Sequence, residues 1–241
     1  MYEPRFYRER NANNRLKRFN VTYKETDLLI LAPLKLNEFC FTMVRKLRKK
    51  LDFYLEENPL FREAVKPLRP GPKAPREALE MAQYSALMGV GPMAAVAGLF
   101  AERTGQKVLE HTDEVIVENG GDIFVSVKED CRVGVYAGRG SAFENRLALK
   151  IRAEETPLGI SSSSGKMGPS LNFGEADSVT VLSPSTLLAD AAATAISNRI
   201  REDEDIQLAL EWSKGFEDIK GVVIIKGDKV GFQGDIEIVK R

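Results

Sequence analysis

The pattern of apolar and polar residues near the start of the chain predicts an antiparallel strand pair. Two short strand-like stretches cover residues 19–24 and 27–31, and Glu25-Thr26 between them is the expected turn. From Asn37, the expected N-cap, apolar residues recur at helical spacing as far as Asn58. A second, short helix is predicted at residues 60–65.

The rest of the chain predicts helices and strands in blocks. Helices are expected at residues 76–88, 92–104, 186–200 and 204–214. Strands are expected at residues 114–118, 123–127, 132–137, 147–153, 158–161 and 178–182. A closing hairpin is expected at 222–226 and 230–239, its second strand interrupted by Gly231 and Gly234. Because the blocks do not alternate strictly, the order favours an α+β fold with antiparallel-rich sheets, predicted as one domain over residues 1–241.

Residues 66–75 contain four prolines and a glycine, which nearly excludes a helix there. The segment is expected to be a loop, and the sequence leaves open whether it is a domain linker or a mobile surface loop beside a site.

Composition narrows the classes of partner. Thirty-five Lys and Arg balance thirty-five Asp and Glu, so a basic field over the whole surface for nucleic acid is absent. No apolar run reaches the ~18 residues that a membrane span needs, and the start has no secretory pattern. Cys40 and Cys131 are too few for a disulfide framework. We therefore expect a cytoplasmic protein with no nucleic-acid or membrane partner.

A Gly-Gly-Asp sequence, Gly120, Gly121 and Asp122, lies between two apolar strands. Paired glycines allow a ligand to approach the bare backbone, and Asp122 would place a carboxylate at the rim. A hairpin turn that needs glycine for its dihedral angles explains the same residues.

A second candidate is the small-residue stretch 159–168, which offers hydroxyls and free N–H groups at Ser161, Ser162, Ser163 and Gly165. Such a segment can wrap phosphates, although the spacing to Lys166 is not that of a Walker sequence. The alternative is a merely flexible loop.

Asp190 and Thr194 are four residues apart in an alanine-rich helix, so both project from one face. A carboxylate and a hydroxyl on one face suit Mg²⁺, which prefers oxygen ligands. A polar stripe facing solvent is the alternative.

Two other features favour no site. The basic run at residues 45–50 is interleaved with Leu47, which indicates the solvated face of an amphipathic helix rather than a nucleic-acid site. His111 is the single histidine and has no recognisable partner for serine-histidine catalysis.

Taken in order, four segments resemble the ApbE-like flavin transferase superfamily, in its short, uncharacterised prokaryotic branch. They are a Gly-rich helix entry at residues 89–92, Gly-Gly-Asp-Ile at 120–123, the glycine-serine stretch at 159–165, and Asp-Ala-Ala-Ala-Thr-Ala at 190–195.

The resemblance implies a T-fold-related structure, a crevice for FAD or FMN, and magnesium held near the pyrophosphate by Asp190 and Thr194. Members of the superfamily cleave FAD and attach FMN to a threonine or serine of a target protein. Here Met93 or Ala94 stands where a lysine is usual, and Pro169 stands nearest the usual histidine.

These departures imply a protein that binds a flavin or related nucleotide with magnesium but does not transfer FMN efficiently. The alternatives are an active transferase, and a non-catalytic accessory or interaction protein that a family-level association links to anaerobic sulfur or methionine metabolism. Homo-oligomers are compatible with all three.

Overall fold

Two antiparallel sheets and one layer of helices make up the structure, a computed structural model that describes residues 15–138, 141–144, 146–165 and 172–240. The strands are β1 (Lys17–Tyr23), β2 (Thr26–Ala32), β3 (Val115–Asn119), β4 (Asp122–Ser126), β5 (Cys131–Gly134), β6 (Leu147–Ile151), β7 (Leu158–Ser163), β8 (Ser178–Ser183), β9 (Gly221–Lys226), β10 (Lys229–Gly234) and β11 (Glu237–Lys240).

The larger sheet has the strand order β1-β2-β3-β4-β7-β8-β9-β10, and the smaller sheet has the order β11-β6-β5. Every strand pair in the described part of the chain is antiparallel. Strands β1 and β10 are therefore the two edges of the larger sheet.

Six α-helices are described: α1 (Asn37–Glu57), α2 (Pro59–Glu63), α3 (Arg76–Met88), α4 (Val96–Val108), α5 (Thr186–Ser197) and α6 (Asp205–Ser213). Short 3-10 helices occupy Pro92–Ala95 and Ala153–Glu155. Within the described residues no single helix is long and apolar enough to span a membrane, although the bent pair Arg76–Met88 and Pro92–Val108 passes by length and composition.

The larger sheet is covered on both faces because its strands alternate two sets of apolar side chains. One set, which includes Ile30, Val117 and Phe124, packs against the helices. The other set, which includes Ile160 and Val223, packs against the smaller sheet. The layers are thus helices, large sheet and small sheet, and the predicted α+β class is confirmed.

The helix predicted from the spacing of apolar residues at 76–88 and the loop predicted at 66–75 are both confirmed. Helix α3 has the predicted bounds, and residues 66–75 form no helix or strand; the amide of Gly71 there donates to the Tyr54 hydroxyl on α1 at 3.2 Å. The expected N-cap Asn37 is wrong, because Leu36 precedes the helix and the Asn37 side chain donates to the Asn20 carbonyl instead.

Several boundaries differ from expectation, among them the first turn, the helix predicted at 92–104 and the closing hairpin. The first turn is Lys24-Glu25 rather than Glu25-Thr26, with Lys24 at φ 52°, so Thr26 is paired in β2. The predicted helix 92–104 divides into the 3-10 helix and α4, which extends to Val108. The predicted closing hairpin is shorter, because Gly234 (φ 91°) turns the chain and β11 pairs with β6 in the smaller sheet.

Candidate functional site

The Gly-Gly-Asp turn and the serine stretch are direct neighbours. Gly120 (φ 70°) and Gly121 (φ 107°) form the turn between β3 and β4, in a backbone region that favours glycine. A Cβ atom on Gly121 would lie 3.6 Å from the Ser162 carbonyl oxygen. Both readings of the turn therefore apply to the same residues, since it closes a hairpin and also presents bare backbone beside Ser162.

The three serines belong to β7, so the strand predicted at 158–161 extends two residues further, and the expectation of a loop is wrong for Ser162 and Ser163. Ser161 is fully buried and its hydroxyl faces the Thr186 carbonyl of α5 at 3.5 Å. The Ser162 and Thr180 hydroxyl oxygens are 2.9 Å apart across the β7–β8 pair. The Asn172 amide donates to the Ser163 hydroxyl at 2.8 Å. Ser162 and Ser163 are partly accessible and can accept further hydrogen bonds.

Gly165 is held by packing rather than left free. Its amide donates to the Ala176 carbonyl at 3.0 Å, and a Cβ atom there would come within 1.8 Å of the Gly174 carbonyl oxygen. This glycine is therefore required where two backbone segments meet. The rest of the predicted loop, including Lys166, lies outside the described residues.

Asp190 lies where α4 and α5 cross. The Gly98 amide, in the first turn of α4, donates to Asp190 Oδ2 at 2.9 Å. A Cβ atom on Gly98 would lie 2.4 Å from the Thr186 carbonyl oxygen, so the two helix backbones are in contact there. Asp190 thus places a carboxylate at the N-terminus of α4, where the helix dipole favours negative charge.

Burial is the main influence on the Asp190 carboxyl group. Desolvation raises its pKa to about 7, although hydrogen bonds from the Gly98 and Ala97 amides act in the opposite direction. The residue as a whole is half-buried. A cation next to this group would favour its ionised form.

Glu102, on α4, forms hydrogen bonds to the N-terminus of α5. Its Oε2 accepts from the Thr186 amide at 2.7 Å and from the Ser185 hydroxyl at 3.1 Å, so it caps α5. Sequence reasoning missed this residue. The only signal was a serine directly before the alanine-rich helix, and no local pattern pairs Ser185 with a residue 83 positions away.

Asn119 connects helix α4, which contacts Asp190, to the glycine turn, which lies beside Ser162. Its side-chain amide donates to the Ala97 carbonyl of α4 at 3.0 Å, and its strand pair is Asp122. The carboxylate of Glu118 accepts from the Gly121 amide at 2.9 Å. Contacts therefore run without a break from Asp190 through Gly98, Ala97 and Asn119 to the glycine turn, and on to Ser162. These contacts link the three predicted segments, and that they line one pocket stays a prediction.

The magnesium hypothesis can be compared with the donor atoms present. Thr194 is 9% exposed and follows Asp190 on α5, so the alternative of a solvated stripe is wrong for Thr194. No group of three His, Cys, Asp or Glu residues suited to a metal occurs among the described residues. One carboxylate and one hydroxyl fit Mg²⁺ only if phosphate and water oxygens complete its six ligands.

The chain is similar to known proteins over most of its length. The family model described as "AbpE bacteria" matches residues 8–224. A UPF0280 protein of Methanopyrus kandleri is 40% identical over 220 residues, covering 89% of each chain. A UPF0280 protein of Methanocaldococcus jannaschii is 37% identical over 227 residues, covering 91% of this chain and 92% of that protein.

Two solved structures have a similar fold. The apo form of the flavinyl transferase ApbE of Pseudomonas stutzeri superimposes with a TM-score of 0.57 at 11% identity, covering 90% of this chain and 93% of the other. The apbe protein of Thermotoga maritima gives a TM-score of 0.57 at 12% identity, covering 91% and 97%. At these identities the similarity shows the fold, which confirms the predicted ApbE-like architecture.

Proposed function

The chain belongs to the family described as AbpE bacteria, and from this premise we propose that it binds a flavin nucleotide, FAD or FMN, together with Mg²⁺. The observation that carries the proposal is the continuous set of contacts from Asp190 through Gly98 and Asn119 to Gly121 and Ser162. Four segments distant in sequence meet there, within a fold shared with the flavinyl transferase ApbE of Pseudomonas stutzeri.

The glycine turn and β7 would contact the nucleotide. Gly120 and Gly121 leave the backbone uncovered, so a ligand can approach more closely than any side chain would allow. The partly accessible hydroxyls of Ser162 and Ser163 are oriented by Thr180 and Asn172, respectively. Oriented hydroxyls and bare backbone suit a phosphate or a ribose at this junction.

Asp190 and Thr194 would hold the cation. Their two oxygens bind Mg²⁺ weakly on their own, so the metal would bind only together with a phosphate-bearing ligand. When bound, Mg²⁺ supplies neutralisation of the phosphate charge. The raised pKa of Asp190 supports this role, because a buried carboxylate gains from an adjacent positive charge.

We further propose that the protein does not transfer FMN efficiently. His111 follows the C-terminal end of α4, where its ring lies 4.5 Å from that of Phe39, whereas Gly98 and Asp190 are at the N-terminal end of this helix. Thirteen residues of helix separate the two ends by roughly 20 Å. His111 is therefore too distant to act as a base, and a positioned base typically contributes about 100- to 10,000-fold.

Titration with FAD tests the binding, using the wild type and Asp190→Ala, each with and without MgCl₂. We expect Mg²⁺ to tighten FAD binding at least about tenfold in the wild type and not in Asp190→Ala. Asp205→Ala is the matched control, because Asp205 also accepts from backbone amides at a helix start, at 2.7 and 2.9 Å, but lies at α6. Equal affinity in all combinations would exclude the metal role.

Release of AMP from FAD, assayed with Mg²⁺ and a threonine-bearing peptide, tests the second part. We expect binding without release. Rapid release that depends on Asp190 would instead establish an active transferase. A wild type that binds neither FAD, FMN nor ADP would favour the interaction protein.

A further inference from the structure

The two edges of the larger sheet carry helices of opposite charge. Helix α1 packs on β1 at one edge, and α6 packs on β9 and β10 at the other. Eight strands span seven intervals of about 4.8 Å, so the edge strands β1 and β10 lie roughly 34 Å apart along the sheet. We call residues 35–76 the basic end and residues 201–220 the acidic end.

The basic end contains eleven Lys and Arg residues against five Asp and Glu residues. Helix α1 and the loop at residues 66–75 lie together, because the Gly71 amide donates to the Tyr54 hydroxyl. Next to this loop, Lys50 of α1 pairs with Glu77 at the start of α3 at 2.8 Å. Within the described part of the chain, several of its exposed cations form no ion pair: Arg45, Lys46, Lys49, Lys66, Arg69 and Lys73.

The acidic end has the opposite balance, with seven Asp and Glu residues against three Lys and Arg residues. Glu211 pairs with Lys214 at 2.7 Å. Considering only residues that the structure describes, five exposed carboxylates there have no ion-pair partner: Glu202, Asp203, Glu204, Glu217 and Asp218.

Large apolar side chains are exposed among these charges. Phe53 is 63% exposed and Leu60 is 74% exposed at the basic end, and Leu208 on α6 is 67% exposed at the acidic end. Interfaces combine apolar anchors with a charged rim, and each end has both components.

We infer that the basic end of one molecule docks on the acidic end of a second copy of this chain. The opposite charges belong to the same molecule, whose net charge is zero, so each end finds its electrostatic complement on another copy. The carboxylates of Glu56, Glu57 and Glu63 interrupt the basic end, which suits a shaped protein surface better than a uniform polyanion.

The geometry determines the type of assembly. Because the two ends are different surfaces at opposite edges of the sheet, the contact is head-to-tail, and repetition gives a ring or an open chain. Because the contact depends on exposed charges, salt weakens it: the Debye length falls from about 30 Å at 0.01 M salt to about 8 Å at 0.15 M.

Sedimentation of complementary variants tests the inference. One variant neutralises the basic end with Arg45→Gln, Lys46→Gln and Lys49→Gln, and the other neutralises the acidic end with Glu202→Gln, Asp203→Asn and Glu204→Gln. In low salt the wild type should exceed the monomer mass of 26.8 kDa at least twofold. Each variant alone should be monomeric, and their equimolar mixture should form a one-to-one complex, because one intact end of each kind remains.

A control variant carries Lys128→Gln, Lys150→Gln and Lys240→Gln together, which lowers the net charge by three as in the basic-end variant. These lysines lie on the strands and turns of the smaller-sheet side, so the control should assemble like the wild type. Circular dichroism establishes that every variant is folded. A wild type that is monomeric at 10 mM salt would overturn the inference. So would a mixture that stays monomeric, or a basic end that binds duplex DNA or anionic phosphatidylglycerol vesicles while the protein remains monomeric.

Discussion

Asp190 and Glu102 each cap the N-terminus of the helix that carries the other. Asp190 on α5 accepts from the Gly98 amide of α4 at 2.9 Å, and Glu102 on α4 accepts from the Thr186 amide of α5 at 2.7 Å. The two helices are therefore antiparallel and fixed in register by a pair of carboxylates. The residue proposed to hold the metal thus also holds the helix crossing together.

The cap formed by Glu102 should be measurable as stability. Glu102→Ala removes the acceptor for the Thr186 amide and the Ser185 hydroxyl, and we expect the free energy of unfolding to fall by about 1–2 kcal/mol. Urea denaturation measures this change. Glu110→Ala, which removes an exposed carboxylate paired with Lys107, is the control and should change stability by less than about 0.5 kcal/mol. Equal effects would contradict the capping role.

Glycine is required where α5 meets its neighbours. An alanine Cβ at position 98 would lie 2.4 Å from the Thr186 carbonyl oxygen, and one at position 159 would lie 2.5 Å from the Thr186 amide nitrogen. Gly98→Ala and Gly159→Ala should each lower the free energy of unfolding by about 2–3 kcal/mol. Gly71→Ala, whose nearest neighbour would be 3.8 Å away, is the control for thermal unfolding. Unchanged melting of Gly98→Ala would show that the helices can separate without cost.

Thr194 offers a test of the proposed metal site that preserves packing. Thr194→Val keeps the shape of a side chain that is 9% exposed but removes its hydroxyl. We expect the tightening of FAD binding by Mg²⁺ to fall about tenfold, with FAD affinity in EDTA unchanged, because a hard cation loses one oxygen ligand. Thr194→Ser should behave like the wild type. Loss of affinity in EDTA as well would indicate a packing defect instead.

Asp52 should make stability depend on pH. Burial tends to raise the pKa of this carboxyl group, but hydrogen bonds from Lys24 at 2.5 Å and Arg48 at 2.6 Å lower the pKa below its usual value. Folding therefore gains stability from the ionised group above about pH 4, and loses it as pH falls through the lower folded pKa.

We expect the wild type to be more stable than Asp52→Asn at pH 7, by less than about 1 kcal/mol because the network is partly exposed, and the difference to vanish near pH 2. Urea titrations at both pH values measure it. If the stability difference between the wild type and Asp52→Asn were the same at both pH values, the effect would come from hydrogen bonding that does not depend on charge.

The two cysteines should react slowly. Burial raises the pKa of the Cys40 thiol and, with Asp130 adding to the effect, of the Cys131 thiol, each to about 11. At pH 8 the thiolate fraction is then on the order of a hundredfold below that of a free cysteine with pKa about 8.5. Iodoacetamide labelling followed by mass spectrometry should show this lag in the native protein and its loss in urea. Rapid labelling of the folded chain would contradict it.

The features that sequence determines here are those set by local spacing. The helical repeat at residues 76–88 predicts α3 with the observed bounds, and the ordered small-residue motifs indicated the correct superfamily. The helical repeat is a local spacing, and the motifs are recognised by residue identity and by their order along the chain, so neither signal needs knowledge of the fold. The same motifs also selected Gly121, Ser162 and Asp190, which prove to be joined by contacts.

Only the tertiary structure decides what those residues touch. Asp190 accepts a hydrogen bond from Gly98, 92 positions away, and Glu102 accepts one from Thr186, 84 positions away. These contacts exist because the two helices cross, whereas the sequence pattern indicates only that each segment is a helix. Likewise, Ser162 and Ser163 are strand residues because they pair with Thr180 and Val179 of β8, an environment that a run of serines does not reveal. Composition gave a net charge of zero, yet the sheet separates that charge into two ends, since α1 and α6 pack at opposite edges.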